Sequence, residues 1–180
     1  MKAKPCIGTG SFSEVFLVRR KSDNKNYALK KVFLNFSNMF RLTCQNYQTK
    51  RKKMHLTRYE YLLPFSNHWS LISCSHENII SYKEAFYEDL TKSLCIVMEY
   101  AENGDLLSRI KFYKEKNQFM PEEEVWSILR QLLKGLRALH KRQIIHRDIK
   151  CANVFLTKDG KVKLGDLNVS KVAKMGLLQT

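Results

Sequence analysis

His146-Arg147-Asp148-Ile149-Lys150-Cys151-Ala152-Asn153 is the stretch on which the reading of this chain turns. Upstream of it, Trp126, Leu129, Leu132, Leu133, Leu136 and Leu139 recur at helical spacing, which predicts a deeply buried helix. Downstream, Val154-Phe155-Leu156 and Val162-Lys163-Leu164 flank the turn Lys158-Asp159-Gly160, which predicts a short hairpin. The polar loop between helix and hairpin gathers a carboxylate, a cation and an amide at fixed spacing. Those are the groups phosphoryl transfer needs: a carboxylate to orient and accept the proton of a hydroxyl, a cation on the transferred group, and oxygen ligands for a metal that bridges phosphates. Asp148 fits the base, Lys150 the cation and Asn153 a metal ligand. The plain alternative is a polar loop around an Arg147–Asp148 pair, but the number of matching positions favours chemistry.

Working outward, Gly165-Asp166-Leu167-Asn168 follows the second hairpin strand, where Asp166 can hold Mg²⁺. Near the N-terminus, Gly8-Thr9-Gly10-Ser11-Phe12-Ser13-Glu14-Val15 reads as a Gly-rich turn between strands, able to approach phosphates closely. After the polar turn Lys21 to Asn26, Tyr27-Ala28-Leu29-Lys30 starts a third strand that carries a lysine for phosphate oxygens. Ile79 to Tyr87 and Leu94 to Tyr100 predict another strand pair. Asp105 is a candidate N-cap of a short helix, and Pro121-Glu122-Glu123-Glu124 opens the long one. Strands precede helices, the order of a segregated α+β chain.

Composition sets the outer limits. The 180 residues hold 32 Lys+Arg against 17 Asp+Glu, a charge of +15, and 44% are apolar. This is enough apolar matter for a core and argues against a disordered chain. There is neither an apolar run long enough to span a bilayer nor a signal-peptide pattern behind Met1. The five cysteines Cys6, Cys44, Cys74, Cys95 and Cys151 are scattered, which suits reduced intracellular thiols. The positive charge suggests an anionic partner, but no nucleic-acid motif accompanies it.

Taken together, and in this order, the motifs resemble those of a eukaryotic protein kinase. Lys150 resembles the serine/threonine branch. The resemblance implies a two-lobed α+β kinase fold, with a β-rich N-lobe at 1–98, a hinge at 99–103 and the start of a helical C-lobe at 104–180. It implies ATP and Mg²⁺ as cofactors and protein Ser/Thr hydroxyls as substrate. Asp148, Lys150 and Asn153 would be catalytic, with Asn153 and Asp166 on the metal. Ile7, Gly8, Gly10, Val15, Ala28, Lys30, Met98, Glu99, Ala101 and Phe155 would surround ATP: Ile7, Val15, Ala28 and Phe155 at the adenine, Met98 as gatekeeper, and Glu99 to Ala101 as the hinge. Ile79 to Phe86, Ile96 to Leu106 and the Asp166-Leu167-Asn168 variant are similar to the NIMA-related (Nek) kinases. Neither a membrane nor a specific nucleic acid is an expected partner. The expected location is intracellular and cytoplasmic, with cytoskeletal, ciliary or nuclear association within the family's range.

The chain departs from the family pattern. Ser13 replaces the third loop glycine, and Asn168 replaces a glycine with a residue that tolerates left-handed backbone. The sequence ends inside the expected activation segment, before an Ala-Pro-Glu motif, and such truncation would uncover the Trp126 helix. The stretch 32–75 fits a kinase poorly: Glu60 is the only carboxylate between Asp23 and Glu77, and Pro64 follows it closely. One explanation is a genuine insertion. The other is retained introns. Read from the third base of each codon, Gln45 to Ser66 permits KLSNKEKKNAFNEVRILASI, an amphipathic helix with a central Glu that resembles the Nek helix. GT and AG can be placed at Val32 and Arg41, and again at Ser66 and Ser75. The two excised stretches total a whole number of codons, so the frame resumes at His76. On that reading the basic run Lys50 to Lys53 is no patch, and His68, Cys74 and His76 are no metal site. Two other classes fit part of the pattern: a non-catalytic nucleotide-binding or scaffolding fragment, and a basic nucleic-acid binder resting on charge alone.

Overall fold

The computed structural model describes residues 5–10, 13–33, 75–167 and the backbone of 171–172. The basic run Lys50 to Lys53, Glu60, His68, Cys74 and Asn168 lie outside these residues. The described residues fall into two compact units: one contains residues up to 33 together with Tyr82–Tyr100, and the other contains 75–81 with the chain from Ala101 onward.

The first unit is an antiparallel sheet of β1 (Cys6–Gly10), β2 (Ser13–Arg19), β3 (Asn26–Phe33), β4 (Tyr82–Glu88) and β5 (Ser93–Glu99), in the order β1-β2-β3-β5-β4. Directly opposed residues share a face, and the register sets Gly8 beside Val15, Val15 beside Lys30 and Lys30 beside Ile96. Leu17, Ala28 and Met98 form the next row on that face. The opposite face holds a core cluster of Val18, Tyr27 and Val97, against which Phe16 and Leu29 pack. β5 lies between β3 and β4, and Leu94, Cys95, Ile96 and Val97 are all buried. Burial pushes the Cys95 thiol above its ordinary range. At one end of the sheet Lys31 Nζ donates to Glu88 Oε2 at 2.7 Å, and Thr91 Oγ1 donates to the same oxygen at 2.6 Å.

The second unit contains α1 (Leu106–Glu115), α2 (Glu122–Lys141), β6 (Ile144–Ile145), a 3₁₀ turn (Cys151–Asn153), β7 (Val154–Leu156), β8 (Val162–Leu164) and β9 (Lys171–Val172). Asp105 caps α1 as expected, with its Oδ1 accepting from Ser108 N at 2.7 Å. Three glutamates fill the first turn of α2, and His140 and Lys141 its last, which suits the helix dipole. β7 and β8 form the expected hairpin, and β6 pairs with β9, a contact the sequence pattern does not announce.

Two expectations are corrected. Ile79 does not begin β4; it makes a parallel bridge to Leu164 in the second unit, and β4 starts at Tyr82. Nor is α2 buried along its whole apolar stripe. Ile128, Gly135, Ala138 and Leu139 are buried, where the helix packs on β8 and β6, while Trp126, Leu129 and Leu133 are exposed. The apolar residues of α2 span more than one face, and β8 and β6 cover only one.

Candidate active site

The loop after β6 turns sharply. Arg147 has φ 69°, a left-handed conformation that is costly for a side chain of this kind. That turn separates the buried His146 from the half-buried Asp148 and the exposed Lys150. His146 Nδ1 accepts from Asp148 N at 3.3 Å, so the ring proton lies on Nε2, which donates to Gly165 O at 3.0 Å. Burial holds this histidine below its ordinary value, although the Gly165 carbonyl works in the opposite direction. It is a neutral imidazole tying the loop to the end of β8.

Asp148 Oδ2 accepts from Lys150 Nζ at 2.8 Å and from Asn153 Nδ2 at 2.9 Å. The same Asn153 amide donates to Asp148 O at 2.8 Å. Lys150 is the main reason the Asp148 carboxyl titrates below the usual range, with Asn153 adding to it; in return Asp148 raises Lys150. The 3₁₀ turn closes through Asn153 N to Lys150 O at 2.9 Å, and Gly165 N donates to Asn153 O at 3.0 Å. The expected catalytic residues Asp148, Lys150 and Asn153 are therefore one hydrogen-bonded group. Asp166 is joined to it through Gly165, and its charge is felt at both Lys150 and His146. Asp166 has φ 55°. Any larger residue at Gly165 would force its neighbours to shift: a Cβ there would meet the Phe155 ring at 2.6 Å and Ile80 at 3.0 Å.

The donor set suits Mg²⁺ held jointly with phosphates. The nitrogen of the Asn153 amide is committed to Asp148, which leaves its oxygen end as the hard ligand, and Asp166 adds a carboxylate. Among the described residues no group of three His, Cys, Asp or Glu forms a cage of its own. Such a metal would take its remaining ligands from phosphate and water.

The expected ATP residues divide between the units. Gly8, Val15, Ala28, Lys30 and Met98 share one face of the first unit's sheet, with Ile7 and Gly10 on β1 and Glu99 at the end of β5. Ala101 is buried in the second unit, where Phe155 sits on β7 against Gly165.

Residue-by-residue reading missed the outer support of β8. Asn78, Gln131 and Gly135 build it, and each left a weak trace: a polar residue within an apolar helical run, a glycine inside a helix, and an Asn just before paired isoleucines. His146 lay within the decisive motif but was given no role of its own.

Residues 1–179 match the protein kinase domain family. The chain belongs to the protein kinase family. Among curated relatives, the kinase chain is 37% identical over 166 residues to serine/threonine-protein kinase Nek3 of Mus musculus, covering 92% of this chain and 27% of that protein. It is 36% identical to Nek1 of Mus musculus, covering 92% and 12%, and 34% identical to Nek6 of Oryza sativa subsp. japonica, covering 97% and 28%. The kinase chain thus spans well under a third of the length of these relatives, and each of the three is a Nek serine/threonine kinase. No described helix is long and apolar enough to cross a membrane.

Proposed function

We propose that this kinase chain carries the catalytic centre of a Nek-type serine/threonine protein kinase, which transfers the γ-phosphate of ATP to protein Ser and Thr hydroxyls. The observation that carries the reading is the Asp148 carboxylate, held by Lys150 and Asn153 and linked through His146 and Gly165 to Asp166. A carboxylate kept ionised well below neutral pH is suited to orienting a hydroxyl and to taking its proton as the oxygen becomes a phosphate ester. Lys150 is positioned to exchange its contact with Asp148 for a contact with the transferred phosphoryl group. That exchange would leave Asp148 Oδ2 held by Asn153 alone, with acceptor capacity for the substrate hydroxyl. Asn153 and Asp166 would hold Mg²⁺, which supplies charge neutralisation between phosphate oxygens.

On the first unit's sheet, Lys30 supplies a phosphate contact. Gly8 and Gly10 give close backbone approach, and Ile7, Val15 and Ala28 apolar contacts for adenine; Phe155, on the second unit, is assigned a further adenine contact. Met98, Glu99 and Ala101 complete that site as gatekeeper and hinge. The lobe division at 98 and 104, protein substrates, and an intracellular, cytoplasmic setting belong to the same proposal. The test is phosphorylation of a generic Ser/Thr protein substrate with Mg·ATP. Asp148→Asn keeps the shape and removes the base, and is expected to lose roughly 10²–10⁴-fold in kcat with ATP affinity little changed. Wild-type turnover in that variant would refute the assigned role.

A further inference from the structure

Strand β8 has no neighbouring strand on its outer side among the described residues, yet each outward backbone group of Val162 and Leu164 is satisfied. Val162 N donates to Gln131 Oε1 at 2.9 Å, and Asn78 Nδ2 donates to Val162 O at 2.9 Å. Leu164 N donates to Asn78 O at 2.9 Å, and Ile80 N donates to Leu164 O at 2.8 Å. The two side chains are locked to each other, with Asn78 Nδ2 donating to Gln131 Oε1 at 3.1 Å. Gln131 Nε2 also donates to Gly160 O at 3.2 Å, in the turn before β8. Asn78 is 2% exposed, and its Oδ1 is a buried atom without a hydrogen-bond partner. Turning the amide to satisfy that oxygen would set it against the acceptors Gln131 Oε1 and Val162 O, so the orientation is fixed. The pair therefore leaves one buried acceptor unsatisfied while keeping every outward bond of β8. Gly135 makes this close approach possible, because a Cβ there would lie 2.7 Å from Asn78 O.

Asp166 is two residues beyond Leu164. A second attachment runs through Gly165 to Asn153 and His146, residues of the catalytic loop itself. We infer that Asn78 and Gln131 are positioning residues for Asp166: they fix the register and height of β8, and so the place of the carboxylate that would meet Mg²⁺. This inference rests on the kinase reading of Asp166. It assigns a task to two residues that touch neither nucleotide nor metal.

The test uses the full chain, an ATP-binding titration in Mg²⁺ and again in EDTA, and hydrogen exchange of the β8 amides. Gln131→Met keeps length and packing but removes the acceptor for Val162 N. It is expected to speed exchange at Val162 and to reduce the Mg²⁺-dependent gain in ATP affinity by about tenfold, the scale seen for outer-shell partners of metal ligands. Metal-free ATP affinity is expected to stay within about twofold. Gln131→Glu retains the acceptor and is expected to restore most of the Mg²⁺ gain. Faster exchange with an unchanged Mg²⁺ gain would overturn the positioning role and leave the kinase reading standing. A folded Q131E that loses the gain as fully as Q131M would overturn it too, and decides the matter if Q131M does not fold. A wild-type chain whose ATP binding ignores Mg²⁺ would overturn both.

Discussion

His146 is neutral because burial disfavours its charged form and because Nδ1 is needed as an acceptor. Its folded pKa lies below the ordinary value of 6.5, so the unfolded chain takes up a proton first as pH falls. The contribution is fully present above 6.5 and is lost as pH drops through the folded value. Thermal midpoints measured from pH 7.5 down to 5 should therefore fall more steeply for the wild type than for His146→Gln, whose amide has no such titration. Parallel curves would contradict this account. Gly165 is equally constrained. Gly165→Ala forces the Phe155 ring or β8 to move, and overpacking of this kind costs about 1–3 kcal/mol. Since both neighbours serve the site, reduced ATP affinity should accompany the lower melting temperature. The motif residues Asp148, Lys150, Asn153 and Asp166 were legible in the sequence because their spacing carries the chemistry. Asn78 and Gln131 were not, because a side chain that serves another strand's backbone leaves no periodic mark.

At the scale of elements, α2 is held by two different devices. Toward its middle, Gly135 admits the backbone of Asn78. Gly135→Ala would gain about 1 kcal/mol of helix propensity but lose about 1–3 kcal/mol to the clash. A net loss is expected, readable as a melting temperature lower by a few degrees. A stabilised variant would show that the approach at Asn78 relaxes freely. Near its start, Glu124 is pushed up by partial burial, but Arg109 and Tyr113 outweigh this and leave it below its usual range. Arg109 Nε reaches Glu124 Oε1 at 3.0 Å and Tyr113 OH reaches Oε2 at 2.8 Å, strapping α1 to α2. These groups are partly exposed, so Glu124→Gln should cost no more than about 1 kcal/mol, and less in high salt. Both helices and the β7–β8 hairpin were visible as periodicity and capping residues. The exposure of Trp126, Leu129 and Leu133 was not, since periodicity shows that a helix has an apolar stripe but not how wide its cover is.

For the molecule as a whole, the kinase reading predicts ligand stabilisation. A ligand that binds only the folded state stabilises it by about 2.7 kcal/mol at a hundredfold excess over Kd. Mg·ATP should therefore raise the melting temperature of the chain by several degrees, and Lys30→Ala should abolish most of the rise. An equal rise in the variant would remove Lys30 from the phosphate contacts. The order of motifs along the chain announced a segregated α+β chain with strands before helices, because each motif needs a particular local element. The pairing of β6 with β9 and the assignment of 75–81 to the second unit depend on contacts between distant residues, which no local pattern encodes.

Six described residues other than glycine have positive φ: Asn24, Lys92, Asn117, Gln143, Arg147 and Asp166. Lys92, in the β4–β5 turn, and Gln143, just beyond α2, are positions where glycine would relax the backbone and remove no group assigned to the site. Asp166 closes the reactive loop, where the same exchange would delete the carboxylate that the bend presents. A screen selecting only for heat resistance should therefore accept glycine at Lys92 and Gln143. One selecting for turnover should keep Asp166 in its unfavourable conformation. The chain's tolerance to mutation thus has two regimes, and the boundary between them outlines the catalytic loop without reference to any ligand.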